Sequence, residues 1–385
     1  MKRLLLPFFL SSIAAGQFLF AAEPFRFEEN DKKQLSLTEG SLPILTYQYD
    51  VIEHEHVPKN NLRRLAGCYV HPLHGINGEI LTDNAPEDHY HHHGVFWTWT
   101  HVGVHEPDGK VTEFSLWESN TALKQHFVRW IGKTITEQSA TFEVENGWFI
   151  GDPKEGKKIM IERVKVIVHR IKESDGIKNR SVDFEFQWQP TDKPITLRGA
   201  EDKSYGGFTV RFKPFVAEGK KEAERSEINR ITVPTGIADK DLPEMPLAWA
   251  DYTSNFPYTA NYTVPEEFIV RLENNPLVGA DDTSSPAPIT ATITLDGKPL
   301  DSARLSFTPK DRPSGAAIFV PKNHPDFPPT WLTRYYGPLC VGWPGVKGQT
   351  FSPGEKIDLR YRIWIHDGAV TVPQIEKAYG EYNGE

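Results

Sequence analysis

Eight of the chain's 14 histidines fall between residues 71 and 105: His71, His74, His89, His91, His92, His93, His101 and His105. Imidazole ligates transition metals and exchanges protons near neutral pH, so such a cluster beside carboxylates suits a metal centre or an acid–base site. Asp83, Glu87, Asp88 and Glu106 supply the carboxylates. If the backbone is extended through DHYHHHG, His89, His91 and His93 share one side while Tyr90 and His92 point away. Those three are then the candidate ligands for a divalent transition metal, the one cofactor the residues suggest. Adjacent strand residues face opposite ways, so Asp88 is not expected to orient His89, and Asp83 or Asp251 is the expected partner. His71 and His74, ending the preceding strand, would close the group. No HExxH motif or other zinc-type spacing is legible. The plainer alternative is a solvated histidine tract without function.

The elements that must position these residues read as strands. In KIMIERVKVIVHRI, RSVDFEFQWQP, GGFTVRFKPF, ITATITLDG and EKIDLRYRIWIHDG, apolar and polar residues change places almost every step, as half-buried antiparallel strands require. The last of these places Ile357, Leu359, Tyr361, Ile363 and Ile365 on one face, which should be core. From Gly94 onward the same alternation puts Val95, Trp97, Trp99 and His101 opposite Phe96, Thr98, Thr100 and Val102. The one convincing helix lies near the C-terminus, around PQIEKAYGEY, with Pro373 in its first turn. The predicted fold is therefore all-β: a large antiparallel β-sandwich with a short C-terminal helix, occupying residues 23–385 as one domain. Leu73 to Tyr90 and Val320 to Pro329 read as long loops, the usual seats of function.

Composition bounds the function. The 385 residues are 38% hydrophobic and 25% charged, which suits a globular chain, and the formal charge of −9 offers no basic field for nucleic acid. Residues 1–22 carry Lys2 and Arg3 before an apolar run and small residues, the layout of a signal peptide. Cleavage is expected after Gly16 or near Ala21 and Ala22, an uncleaved anchor being the alternative. The protein is expected to be secreted or periplasmic, with no membrane span in the mature chain. Cys68 and Cys340 would then meet an oxidising compartment, where a disulfide and two buried free thiols are both open.

Three stretches resemble a known family. HPLHGINGEILTDNAPEDHYHHHG, the later WADYTS, and VPKNHPDFPPTWLTRYYG are similar to segments of the secreted bacterial family called PmoA-like, or methane-oxygenase-like. Tyr90 stands where that pattern has proline, and His93 where it has arginine. The resemblance implies a supersandwich similar to that of galactose mutarotase-like proteins, and through that fold a carbohydrate ligand. The methane-oxidation label fits poorly, because a membrane-embedded oxygenase needs apolar spans that the mature chain lacks.

Together these features predict an exported carbohydrate-active enzyme of epimerase, lyase or hydrolase type, with a small-molecule or oligosaccharide substrate. His89, His91 and His92 would lie in a cleft with Asp88, His71 and His74, one imidazole taking a proton and another giving one. Arg198, Tyr205, Asp251, His324, Trp331 and Arg334 are the candidate substrate-binding residues. Tryptophans 97, 99, 117, 249 and 331 are candidates for stacking on sugar rings, Trp331 foremost because it follows the proline-rich loop NHPDFPPTW. A metal-dependent oxidative enzyme with histidine ligands and a non-catalytic sugar-binding protein are the alternatives.

Overall fold

The computed structural model describes residues 24–118, 122–263, 302–307 and 312–385. The proposed signal peptide and the ITATITLDG segment lie outside them. Two large antiparallel sheets face each other. The first has nine strands and is built outward from Tyr69–Leu73, Val95–Thr98, Gly207–Arg211 and Pro338–Gly342, which are neighbours in that order. The second has ten strands, among them Leu123–Ile135, Ser139–Ile150, Lys157–His169, Ile177–Pro190, Ile357–Asp367 and Pro313–Phe319. A four-stranded sheet holds His101–His105 and Ile195–Arg198, and among the described residues no sheet closes into a barrel.

One apolar core joins the inner faces of both large sheets. The first contributes Trp97 and Phe208, the second Phe184, Phe186, Trp188 and Tyr361, all buried. Phe208 stacks on Tyr361 with ring centroids 4.7 Å apart, so aromatic area carries much of the inter-sheet contact. The alternation expected for Ile357–Asp367 holds: Ile357, Leu359, Tyr361, Ile363 and Ile365 all belong to this core. Its outer face is exposed at Asp358 and Arg360 but buried at Trp364, where the helix Val372–Asn383 lays Ile375 and Tyr379 over Trp364, Phe319 and Trp249. Gln374 accepts a hydrogen bond from the Thr371 backbone N–H at 2.9 Å, and Gly384, at φ 78°, ends the helix in the left-handed region.

One expectation changes and one open alternative is decided. The run from Gly94 is not one strand but two, Val95–Thr98 and His101–His105, which belong to different sheets. Cys68 and Cys340 are both buried free thiols rather than a disulfide. Among the described residues no helix is long and apolar enough to cross a membrane.

Candidate functional site

The histidine run enters strand Val95–Thr98 through successive turns instead of extended chain. His89 N–H donates to Pro86 O at 2.9 Å, His92 N–H to His89 O at 3.0 Å, and Ala85 N–H to His92 O at 2.7 Å. A turn brings residues three apart onto one side, so His89 and His92 stack face to face, centroids 4.7 Å apart and 5° from parallel. His91 meets both edge-on, at 5.5 Å and 4.7 Å. His93 turns the other way: its ring stacks on His54 at 5.1 Å, and its Nδ1 lies 3.0 Å from Asn84 Oδ1. The converging set is thus His89, His91 and His92, not His89, His91 and His93.

Asp88 does hold His89, contrary to the strand-based expectation, since the turn places neighbouring side chains together. His89 Nδ1 lies 2.8 Å from Asp88 Oδ2, and the same oxygen accepts from Arg211 Nη2 at 2.8 Å. Burial works to raise the Asp88 pKa, but the His89 hydrogen bond and the Arg211 charge outweigh it and bring it down to about 2. Arg211, in the last position of strand Gly207–Arg211, is nearly buried, lies 3.4 Å from His92 Nδ1 through Nη1, and packs its guanidinium over the Tyr336 ring at 4.7 Å. Tyr336 stacks in turn on His89 at 5.0 Å and 7°.

Burial sets the charge of the other imidazoles. It pushes His91 down to about 4, although Glu118, 3.9 Å from its Nδ1, pulls the other way. His92 and His93 are lowered further by the same cause, with neighbouring imidazoles and, for His92, Arg211 adding to it. His89 and Asp88 are the accessible pair, their side chains 34% and 35% exposed. Trp117 closes the far side against His91 and His92, and Tyr205 packs on Trp117 with ring centroids 4.8 Å apart and planes tilted by 40°. Arg63 pairs with Glu118 at the rim.

The remaining sequence candidates distribute unevenly. Tyr205 joins the cluster through Trp117, and Arg334, bonded to Asp241 at 3.4 Å, is close enough to Tyr336 to affect it electrostatically. His71 is held by Thr82 Oγ1 at 3.0 Å and lies within electrostatic reach of His93, whereas His74 binds Gly78 O at 3.0 Å inside its own turn. Arg198 pairs with Glu201 at 2.5 Å. Asp83 faces Lys213, and Asp251 is sealed in the interior against His366 at 2.9 Å, so neither orients His89. His324 is buried beside Tyr361 and Trp343. Trp331 faces the core and not a pocket: it is 0% exposed, donates to Leu247 O at 2.9 Å, and packs in the main apolar core from a strand flanked by Pro338–Gly342 and Leu242–Pro246. Trp97, Trp99 and Trp249 are likewise core.

The metal expectation does not fit this arrangement. Imidazole lone pairs lie in the ring plane, so the parallel rings of His89 and His92 do not aim at a common point, and His93 faces elsewhere. Among the described residues no group of three or more His, Cys, Asp or Glu side chains is placed to hold a metal ion.

Arg211 and Tyr336 are the participants that sequence reasoning missed. Arg211 did carry a signal, a lone cation inside the apolar run FTVRF, whereas Tyr336 carried none. A family model described as a family of unknown function, DUF6807, matches residues 34–380. No curated protein and no solved structure matches the chain.

Proposed function

The chain belongs to this family of unknown function, so membership supplies no reaction, and from the site itself we propose a carbohydrate-active enzyme in which His89 is the general base. The observation that carries the reading is the accessible Asp88–His89 pair. Donation from His89 Nδ1 to Asp88 fixes the tautomer that leaves the Nε2 lone pair free to take a proton. Arg211 keeps Asp88 ionised, so the carboxylate steadies the imidazolium formed on proton transfer and does not itself compete as an acid.

The proton donor must be a group still protonated at neutral pH. Burial raises the Tyr336 phenol to about 12 and also raises Tyr205, so both keep their protons. His91, uncharged at neutral pH, serves as a hydrogen-bonding partner and not as a cation. Epimerisation, elimination and hydrolysis all start from this placement of base and donor. Aromatic surface at Tyr336 and Tyr205 suits the apolar face of a sugar ring. The likeness to the PmoA-like family supports a saccharide substrate through its mutarotase-like fold, and the basic, then apolar, N-terminal run supports export.

The test is turnover of a panel of glycosides, uronides and free sugars by the native chain and by His89→Gln and Asp88→Asn. Each variant should lose about a hundredfold in turnover, the usual contribution of a positioned base. Full activity in His89→Gln, with near-UV circular dichroism unchanged, would refute the assignment.

A further inference from the structure

His92 is the one member of the converging set to which the acid–base reading gives no task. Its backbone is pinned at both ends of the turn, its N–H donating to His89 O and its carbonyl accepting from Ala85 N–H. Its ring joins a parallel stack: Tyr336 lies 5.0 Å from His89 and 7° from parallel, and His92 lies 4.7 Å from His89 and 5° from parallel.

Arg211 fixes the tautomer of His92. A guanidinium only donates, so the His92 Nδ1 that faces Arg211 Nη1 at 3.4 Å is an acceptor. Burial foremost, then the neighbouring His91 and Arg211, holds the ring uncharged at neutral pH, which leaves its single proton on Nε2. His89 carries the opposite tautomer, with Nδ1 donating to Asp88 and Nε2 bare. The Nδ1 atoms of both parallel rings face one ion pair, Asp88 with Arg211, closed at 2.8 Å. Their Nε2 atoms therefore lie along the edges turned away from it, a bare acceptor beside an N–H donor. His92 Nε2 has no hydrogen-bond partner among the described residues and, unlike His91 Nδ1 and His93 Nε2, is not a fully buried atom.

A base and an uncharged donor on neighbouring rings match one kind of substrate edge, a C–H next to a carbonyl. Removing that proton moves the C–H electron pair into a C=C bond and the carbonyl π pair onto oxygen, where a donor already in place acts most strongly. A neutral imidazole holds such an oxyanion without giving up its own proton. Glycoside hydrolysis asks for something else, an acid that yields its proton to the leaving oxygen.

We propose that His92 is a catalytic residue whose Nε2–H holds the carbonyl oxygen of a keto sugar while His89 Nε2 removes the proton from the adjacent carbon. The enolate takes a proton back from the imidazolium, at carbon or at oxygen, so atoms and charge balance without a co-reactant. The inference rests on the assignment of His89 as base and narrows its substrate to a carbonyl-bearing sugar.

The experiment is proton NMR in heavy water, following deuterium entry next to the carbonyl of D-fructose, D-tagatose and dihydroxyacetone, with methyl β-D-glucoside as the sugar that has no carbonyl. The native chain should exchange at least one ketose and leave the glucoside unlabelled. His92→Phe keeps an aromatic ring in the stack and removes the donor, so it should slow exchange at saturating ketose by about a hundredfold or more with little change in KM. His92→Gln, whose amide again presents an N–H, should regain about tenfold of that loss. Near-UV circular dichroism checks each fold, and His92→Met, flexible enough to fill the same space, decides if His92→Phe does not fold. Native exchange in the folded donor-free variant, or no exchange of any ketose by the native chain, would overturn the proposal; glycoside hydrolysis that still depended on His89 would show that the base assignment survives it. Native exchange in His89→Gln would overturn the base and this inference together.

Discussion

Glu162 offers the sharpest test of how the site is supported. It is 0% exposed, on strand Lys157–His169, and its carboxylate accepts four hydrogen bonds of 2.9 Å. Three reach Oε2, from Gln125 Nε2 and the indole nitrogens of Trp148 and Trp188; the fourth reaches Oε1 from Asn146. Gln125 also lines the small cavity beside His91 and His93, so this network backs its wall. In Glu162→Ala, Asn146 keeps the Tyr47 hydroxyl and Gln125 keeps Trp97 O, but the two buried indoles lose the acceptor that Glu162 provides. Two orphaned donors at about 1–3 kcal/mol each, with the cavity left by the side chain, give about 4–8 kcal/mol. That is a large part of the roughly 5–15 kcal/mol that holds an ordinary domain together. Glu162→Gln should cost only about 2 kcal/mol: its amide oxygen replaces Oε2, and Asn146 can rotate its unpartnered Oδ1 to meet the new amide. Urea unfolding at pH 7, followed by tryptophan fluorescence with m checked for constancy, measures both. A Glu162→Ala chain within about 1 kcal/mol of native, or equal losses in the two variants, would show that these bonds do not carry the core.

Other expectations follow from single contacts. Cys68 and Cys340 are buried, and burial raises both thiols, Cys340 to about 11, so a thiol reagent should find almost none in the native protein and two per chain after unfolding without reductant; none after unfolding would mean a disulfide. Trp331→Ala should cost about 3–5 kcal/mol as a core truncation, and the milder Trp331→Phe should leave saccharide binding unchanged; lost binding at full stability would return Trp331 to the site. Asp88, held at about 2 in the folded chain against about 3.9 unfolded, contributes stability above about pH 4 and loses it as pH falls through 2. The stability difference between native and Asp88→Asn should therefore be constant above pH 4 and shrink toward pH 2, and a difference that persists undiminished at pH 2 would contradict the ion pair with Arg211.

Legibility in the sequence followed period. The strands Lys157–His169, Ile177–Pro190 and Ile357–Asp367 were readable because one face of each is buried and the other is not, and the amphipathic C-terminal segment was readable for a related reason. Alternation does not say what covers a second face, so the burial of Trp364 under the helix was not predictable from its strand. The polar interior was equally hidden. Glu162 looks like an ordinary surface position of an alternating strand and Asp251 like a site residue, and only the partners supplied by other strands, Trp188 for one and His366 for the other, explain their burial.

At the site one local error propagated. Alternation beyond Gly94 suggests carrying the extended chain back through DHYHHHG, yet the loop before it holds Asn84, Pro86 and Asp88, which are turn formers, and Ala85 adopts φ 48°. Turn geometry rotates the side chains so that residues three apart coincide, which exchanges His93 for His92 in the cluster and puts Asp88 beside His89. The exchange alters the chemistry as well as the membership. An extended run would aim three imidazoles at one point, the requirement of a metal centre. The turn instead buries His92 and His93 as uncharged rings, sets Arg211 against Asp88, and leaves one Asp–His pair open to solvent. Of the two roles that imidazole clusters serve, this backbone favours proton transfer, and Arg211→Met should therefore impair turnover as severely as Asp88→Asn; native turnover in Arg211→Met, with the fold intact by near-UV circular dichroism, would reverse that order.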